Sequence, residues 1–368
     1  MRRTAFLSVA AAEWNLGDIY IRRAVTRAMA DDGMDAVVYT GTMGPGYVEA
    51  FEFPSNWVVT ASPRRFLTLL LGACIRRKAT VIMAPGPAQL ETRLSPLIKR
   101  IGVALMLMFA RLSGNRVAVL GRALRGSGPV ALKAERLIAR SSVVYLARDP
   151  QTAELVGPPA QTRPDLGFAD SAARSGAAPE TGAGRPLIAL SLRYDRNPSI
   201  DLVREFAEHW RSRGFDIVLV TQVRQDREIH DVLSKECGFR HVDWPDGRSQ
   251  LEQERLIVQT YAQCIAVVSD RLHALIVGCR QGAIPVIADS PGESKLHATM
   301  DFILEPQTVW LHTRSAEQTS FGLDLSDGEV QRIDKLVKEA SAALTTSLHQ
   351  FTARSSELRD ATSAGIGQ

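Results

Sequence analysis

The chain has 368 residues, room for two domains of ordinary size rather than a single core. Apolar residues make up 45%, which excludes a disordered chain. Lys and Arg number 44 against 40 Asp and Glu, a net charge of +4, and no basic stripe is interleaved with aromatics. That is too weak for a nucleic-acid binder and suits an anionic small molecule or a substrate near a membrane.

The elements follow in chain order. The start carries two arginines and a short apolar stretch, as a secretory signal does, but a loop follows at once, so residues 4–10 are expected to form a first buried strand. A helix is expected over about 18–29 and a strand over 35–40. The glycine-rich 41–46 is expected to be a loop, because it lacks the spacing of a dinucleotide fingerprint. Helices over 63–76, 94–112 and 128–140 alternate with strands over 78–84, 115–121 and 142–147. The most apolar segments, FLTLLLGACI and IGVALMLMFARL, fall short of the ~20 residues that span a bilayer. They are expected to be buried helices, one of them a possible surface for peripheral membrane contact.

Residues 171–185 are rich in Gly, Ala and Ser and have little to bury, so they are expected to link two domains. Beyond them strands at 186–192, 215–221, 264–269 and 284–288 alternate with helices at 200–213, 227–236, 249–263 and 271–281. The segment VRQDREIHD is expected to be a solvated helix start. A final amphipathic helix is expected to begin at Ser326, with Glu329 three residues on as in a capping box. The expected organisation is therefore an α/β protein with two doubly wound Rossmann-like domains facing a cleft (GT-B-like). It comprises 1–170, a linker at 171–185, 186–325, a terminal helix at 326–352 and a flexible tail at 353–368. Ligands of such sheets bind at the carboxyl ends of the strands.

Cys74, Cys237, Cys264 and Cys279 lack metal-ligand spacing and are expected to be reduced in a cytoplasmic protein. His209, His230, His241, His297, His312 and His349 show no HxxxH or HxH pairing, so no catalytic metal is expected. Neither a P-loop nor a G-x-S-x-G motif is present.

The stretch SDRLHALIVG, starting at Ser269, places Arg271 and His273 where a strand hands over to a helix. At 100° per residue Leu272, Leu275, Ile276 and Cys279 form one stripe, with Arg271 and His273 beside it. A cation is disfavoured at a helix N-terminus, where the dipole is already positive. Arg271 is well placed if an anion completes the site. The alternatives are a solvated helix start for Arg271 and a core histidine for His273.

The sequence VVSDRLHALIVGCRQGAIPVIAD, followed by Ser294-Lys295, resembles the C-terminal signature of the polysaccharide pyruvyl transferase family. Gly282 and Pro285 stand one residue further apart than in that pattern. Other segments resemble the family in order. They are Asn15-Leu16-Gly17-Asp18, then Arg148-Asp149 with Thr152, then Pro164-Asp165, then the strand ending in Ser191 and Arg193. The chain departs from the family twice. The family's glycine run reads MAPGPAQ, with only Gly86. Its Gly-Ile-Gly-Pro-like turn reads GRALRGSGP, which carries Arg122 and Arg125.

The resemblance implies transfer of a pyruvyl group from phosphoenolpyruvate to two hydroxyls of one sugar, forming a cyclic ketal on a cell-surface or extracellular polysaccharide or its precursor. It implies Arg271, Arg193 and Lys295 as donor-binding cations and His273 as the proton donor to the methylene carbon. Asp18 would hold or deprotonate the acceptor hydroxyl, with Asn15 and Gly17 near the ligand. No cofactor is expected beyond the co-substrate phosphoenolpyruvate, and the acceptor is a glycan or a lipid-linked or nucleotide-linked sugar. Taken alone, Asn15 to Asp18 also fit a plain turn and helix cap, Lys295 a solvated side chain, and Arg193 a salt bridge to Asp195. A nucleotide-sugar glycosyltransferase and a non-catalytic glycan-binding relative are the competing functions.

Overall fold

The structure is a computed structural model that describes residues 3–91, 93–169, 186–288, 295–312 and 321–356. The expected linker and most of the expected tail lie outside these residues. The chain forms two compact units. Unit 1 takes the described residues of Met1–Glu13, Asp18–Ala169 and Ala342–Gln368; unit 2 takes Trp14–Gly17 and those of Asp170–Ser341.

Unit 1 is built on β1 (Thr4–Ser8), α1 (Leu16–Asp31), β2 (Asp35–Tyr39), α2 (Pro45–Glu49), β3 (Val58–Thr60), α3 (Pro63–Ile75), β4 (Ala79–Met83), β5 (Gly86–Gln89), α4 (Leu94–Leu112), β6 (Arg116–Arg125), α5 (Pro129–Ser141), β7 (Val144–Ala147), α6 (Pro150–Val156) and β8 (Gln161–Thr162). Its eight strands form one parallel sheet in the order β3-β2-β1-β4-β6-β7-β8, with β5 paired to β6. Ala5, Phe6 and Leu7 of central β1 are all buried. Such a run needs cover on both faces of the sheet, as parallel sheets have.

The two departures from the family pattern are strands. MAPGPAQ contributes β5, and GRALR extends β6 to ten residues, so that Gly86 to Gln89 pair with Arg122 to Arg125. Gly121 takes φ +67°, and the β6–β7 register shifts between Val119 and Arg122. A left-handed residue without a Cβ lets the strand bulge there and carry on. The expected turn at 121–129 is corrected accordingly. The expected loop at 41–46 also ends in the start of α2.

Unit 2 comprises β9 (Leu187–Ser191), α7 (Ile200–Arg211), β10 (Asp216–Val220), α8 (Arg227–Cys237), β11 (Arg240–Val242), α9 (Gln250–Tyr261), β12 (Cys264–Ser269), α10 (Leu272–Arg280), β13 (Ile284–Ile287), α11 (Lys295–Met300) and β14 (Gln307–Thr308). The helix α12 (Asp327–Ser356) starts in unit 2 and ends in unit 1. Ser326 caps it by accepting from Glu329 N–H at 3.3 Å, whereas the Glu329 carboxylate pairs with Arg332 at 2.7 Å. The sheet is parallel, in the order β11-β10-β9-β12-β13-β14.

Three expectations about exposure are corrected. α10 is not striped: Ala274 to Cys279 are all buried while Leu272 is only half-buried. VRQDREIHD is not a solvated face, because Asp226 and His230 have no exposed surface. α3 and α4 are buried along one side only. Leu70, Ala73, Ala104, Leu107 and Ala110 enter the core, whereas Ile75, Leu94, Phe109 and Leu112 are more than 60% exposed. The cysteines are free thiols, three buried and Cys74 half-buried.

Candidate functional site

The second sheet changes direction between β9 and β12. The chain runs outward from β9 through β10 to β11, then crosses back and runs the other way from β12. The carboxyl ends of β9 and β12 therefore lie side by side, with Ser191 in register with Ser269. In open α/β sheets this switch point opens the crevice that takes ligands. The residues just past it are Arg193 on one strand and Asp270, Arg271 and His273 on the other.

Local hydrogen bonds hold these two strand ends. Ser269 Oγ donates to the Ser191 carbonyl and accepts from Arg271 N–H at 2.9 Å. Asp270 accepts from Arg193 N–H at 2.9 Å, and its second oxygen meets His312 Nε2 at 3.2 Å. Asp226, from the turn before α8, accepts from Tyr194 N–H at 3.1 Å.

Asp226 also answers the question of Arg271. The guanidinium clamps it with two bonds, Nε at 2.8 Å and Nη2 at 2.6 Å. The anion that completes Arg271 is thus a protein carboxylate 45 residues away in sequence. Burial pushes the Asp226 carboxyl upward, while Arg271 and the Tyr194 N–H pull it down. Arg271 is the N-cap residue of α10, and its own side chain makes no capping hydrogen bond there.

His273 is half-buried in the first turn of α10. It lies against Gly17: a Cβ on Gly17 would sit 2.2 Å from His273 Nδ1 and 2.7 Å from its Cγ. Only a glycine allows this approach. The segment 14–17 is tied to unit 2 by several contacts. Asn15 forms an antiparallel bridge with Val223, and Arg224 N–H donates to the Trp14 carbonyl at 3.0 Å. The Trp14 ring meets Trp244 edge-on at 5.8 Å and carries the Arg224 guanidinium 4.2 Å from its centre. Two motifs from opposite ends of the chain are so brought together.

The other expected site residues are placed as follows. Asn15 Oδ1 accepts from Gly17 N–H at 3.0 Å and caps the start of α1. Asp18 belongs to unit 1 and pairs with Arg22 Nη1 at 2.7 Å. Arg193 pairs with Asp195 through two bonds of 2.8 and 2.6 Å, the side chains being 32% and 42% exposed. That hydrogen bonding holds the Asp195 carboxyl below its ordinary value. Lys295 opens α11, and its side chain lies outside the described residues. Sequence reasoning missed Asp226, Asp270, His312 and Trp14. Asp270 stands inside the SDRLH stretch itself; nothing in sequence marks the other three as parts of the same unit's site.

The motif residues of unit 1 bond to one another. Arg148 pairs with Asp165 at 3.1 Å; Asp149 accepts from Thr152 N–H at 2.7 Å and from Arg125 at 3.1 Å. Arg122 clamps Glu135, which also takes Arg100 at 2.6 Å and the Tyr145 hydroxyl at 3.0 Å. The two arginines that depart from the family pattern therefore meet buried protein carboxylates. Burial alone would raise the Glu135 carboxyl, but Arg122, Arg100 and Tyr145 hold it below the ordinary range. A depressed carboxyl stabilises the fold above its unfolded pKa of about 4 and loses that contribution as pH falls through the lower folded value. Replacing Glu135 by Gln is expected to flatten the acid limb of stability against pH; urea unfolding below about pH 4 checks this, and an unchanged acid limb would exclude it.

Asp231, His241 and Asp243 bring possible metal-ligand atoms within 4.8 Å of one another. Hydrogen-bond directions around His241 fix its protons. Leu192 N–H donates to His230 Nε2 at 3.1 Å, so His230 carries its proton on Nδ1 and donates to Thr221 Oγ1 at 2.8 Å. Burial lowers His230 to about 3, which keeps it neutral. The Thr221 hydroxyl then donates to His241 Nε2 at 2.8 Å, leaving the His241 proton on Nδ1, 3.2 Å from Asp231. Asp243 accepts from Arg227 at 2.9 Å. These groups are engaged with one another as a proton-ordered chain.

The profile of one protein family, described as polysaccharide pyruvyl transferase, matches residues 15–288. No curated protein matches the chain. Among solved structures, a glycosyltransferase from Rickettsia africae is similar at 10% identity and TM-score 0.61, over 98% of this chain and 99% of the other. The UDP-GlcNAc 2-epimerase of Neisseria meningitidis is similar at 9% identity and TM-score 0.54, over 96% and 99%. The glycosyltransferase SnogD of Streptomyces nogalater is similar at 14% identity and TM-score 0.52, over 96% and 100%. These likenesses establish the fold, a pair of parallel α/β units of GT-B type.

Proposed function

Since the chain belongs to the polysaccharide pyruvyl transferase family, we propose that it transfers the pyruvyl group of phosphoenolpyruvate to two hydroxyls of a single sugar and releases phosphate. The observation that carries this reading is the apposition of Gly17 and His273 at the switch point of the second sheet. It joins the first and last motifs of the family at the place where such a sheet takes a ligand.

His273, protonated, gives its proton to the methylene carbon of the donor, which becomes a methyl group. Carbon two becomes electron-poor and takes the first acceptor hydroxyl. Phosphate leaves with the C–O bonding pair, and the second hydroxyl closes the ketal. Two hydroxyl protons are released: one restores His273 and the other goes to phosphate or solvent. Histidine suits this work because its pKa lies near neutrality. Asp18 holds or deprotonates an acceptor hydroxyl.

The donor is anionic at both ends. Arg193 is its main clamp in this reading, because its present partner Asp195 is a half-exposed carboxylate and exposed ion pairs are worth only about 0–1 kcal/mol. An incoming carboxylate or phosphate can displace Asp195 at little cost. The N-terminus of α10 favours an anion through its dipole. Arg271 orders the site through Asp226, and Lys295 adds a further cation. The acceptor is a polysaccharide sugar or its lipid-linked or nucleotide-linked precursor.

The deciding experiment is phosphate release from phosphoenolpyruvate with a panel of lipid-linked and nucleotide-linked sugars. Thermal shift adds a second readout. Phosphoenolpyruvate at 100 times its dissociation constant is expected to stabilise the protein by ~2.7 kcal/mol. Stabilisation by nucleoside diphosphates instead, with no phosphate release, would assign the site to a nucleotide-sugar transferase.

A further inference from the structure

We propose that the outer faces of α3 and α4 form a docking surface for an anionic lipid bilayer. This goes beyond the proposed reaction and does not depend on it. On α4 the exposed apolar residues are Leu94, Ile98, Ile101, Leu105, Phe109 and Leu112. They recur every three or four residues and so form one continuous stripe, opposite the stripe of Ala104, Leu107 and Ala110 that enters the core. On α3, Leu67, Leu71 and Ile75 do the same. A soluble helix normally turns a polar face to water. Here both faces are apolar, so the outer one awaits a non-aqueous partner.

The two stripes belong to one surface. Both helices pack on the same core of the unit 1 sheet, and their C-terminal ends are joined. Asn115, just past α4, donates to the Cys74 carbonyl at the end of α3 at 3.0 Å and accepts from Ala79 N–H at 3.0 Å. A Cβ on Gly114 would lie 3.5 Å from the Arg77 side chain. Ile75, 82% exposed, and Leu112, 78% exposed, therefore stand at the same end of the patch.

Charge identifies the occupant. Between residues 62 and 113, which span both helices, there are nine Lys and Arg and a single carboxylate, Glu91, a local net charge of +8 in a chain whose total is +4; of the nine, Arg100 is paired with Glu135. Arg64, Arg65, Arg76, Arg77, Arg93, Lys99 and Arg111 are exposed along these two helices and their ends. Neither helix contains an acidic residue. An apolar stripe bordered by cations, with no anion on either helix, matches the layering of a bilayer surface, where acyl chains lie beneath negatively charged headgroups. α4 is 19 residues long, and none of the described helices is long and apolar enough to cross a membrane. The geometry is that of a helix pair lying on the surface.

The test is co-sedimentation of the full chain with vesicles of phosphatidylglycerol and phosphatidylcholine, against phosphatidylcholine alone. Binding is expected only to the anionic vesicles and should weaken as salt rises. A variant with Arg76→Gln and Arg77→Gln is expected to bind ~25-fold more weakly, about fivefold for each cation lost near the surface. A variant with Ile75→Glu, Phe109→Glu and Leu112→Glu is expected to lose binding while keeping its thermal midpoint, because all three side chains are exposed. Failure of the wild-type chain to bind anionic vesicles overturns the proposal, as does unchanged binding by the apolar-to-Glu variant. So does a concentration-dependent dimer in sedimentation velocity that this variant dissolves without any vesicle binding, which would give the face to a second copy.

Discussion

His273→Ala is expected to lower phosphate release from phosphoenolpyruvate by about 10²–10⁴-fold, the usual worth of a positioned general acid. The fold should survive, because His273 is only half-buried and α10 is anchored by the six buried residues from Ala274 to Cys279. The partner variant is Gly17→Ala. Its methyl group would fall 2.2 Å from His273 Nδ1, so the imidazole must leave its position. A comparable loss of turnover is expected from one added carbon that carries no charge. The double variant should be no worse than His273→Ala alone, since the ring that Gly17 accommodates is already gone. Near-normal turnover in His273→Ala would remove it as the proton donor. Additive losses would mean that Gly17 acts on something other than the ring.

Arg271→Ala is expected to destabilise the chain by ~3–5 kcal/mol, since it leaves the fully buried Asp226 without its counter-charge. This differs from what a donor-binding arginine would do, which is to raise KM and leave stability alone. Urea unfolding separates the two. A lowered midpoint in Arg271→Ala, largely recovered in an Arg271→Met and Asp226→Leu double variant, supports the buried pair. A wild-type midpoint with a weakened KM would return Arg271 to the donor. The acid dependence of Glu135 in unit 1 rests on the same principle with the opposite sign of perturbation: its arginines outweigh burial, whereas burial outweighs Arg271 at Asp226.

The alternation of short apolar runs with helical periodicity made the two parallel sheets legible, because a strand covered on both faces must be apolar throughout. The position of SDRLH at a strand-to-helix junction was legible for the same reason. β5 and the second half of β6 were not. Their residues include Gly86, Pro87 and Gly121, which locally favour turns, and their pairing with each other makes them strands. The exposed apolar stripe was half legible. Composition marked α3 and α4 as the most apolar segments, but which of their two apolar faces the core takes depends on where the sheet lies.

What the sequence by itself determined was most of the longer strands and helices, the two-unit α/β plan and the cluster of chemical groups at the end of β12, since each follows from local pattern. Only the tertiary structure decided which charges meet. Arg271 and Asp226 are 45 residues apart, and Gly17 meets His273 from the far end of the chain. Periodicity reports which side of an element is apolar; it carries no information on which distant carboxylate or glycine the fold brings against it. A buried charge must be matched within a few ångströms, and that distance is set by packing alone.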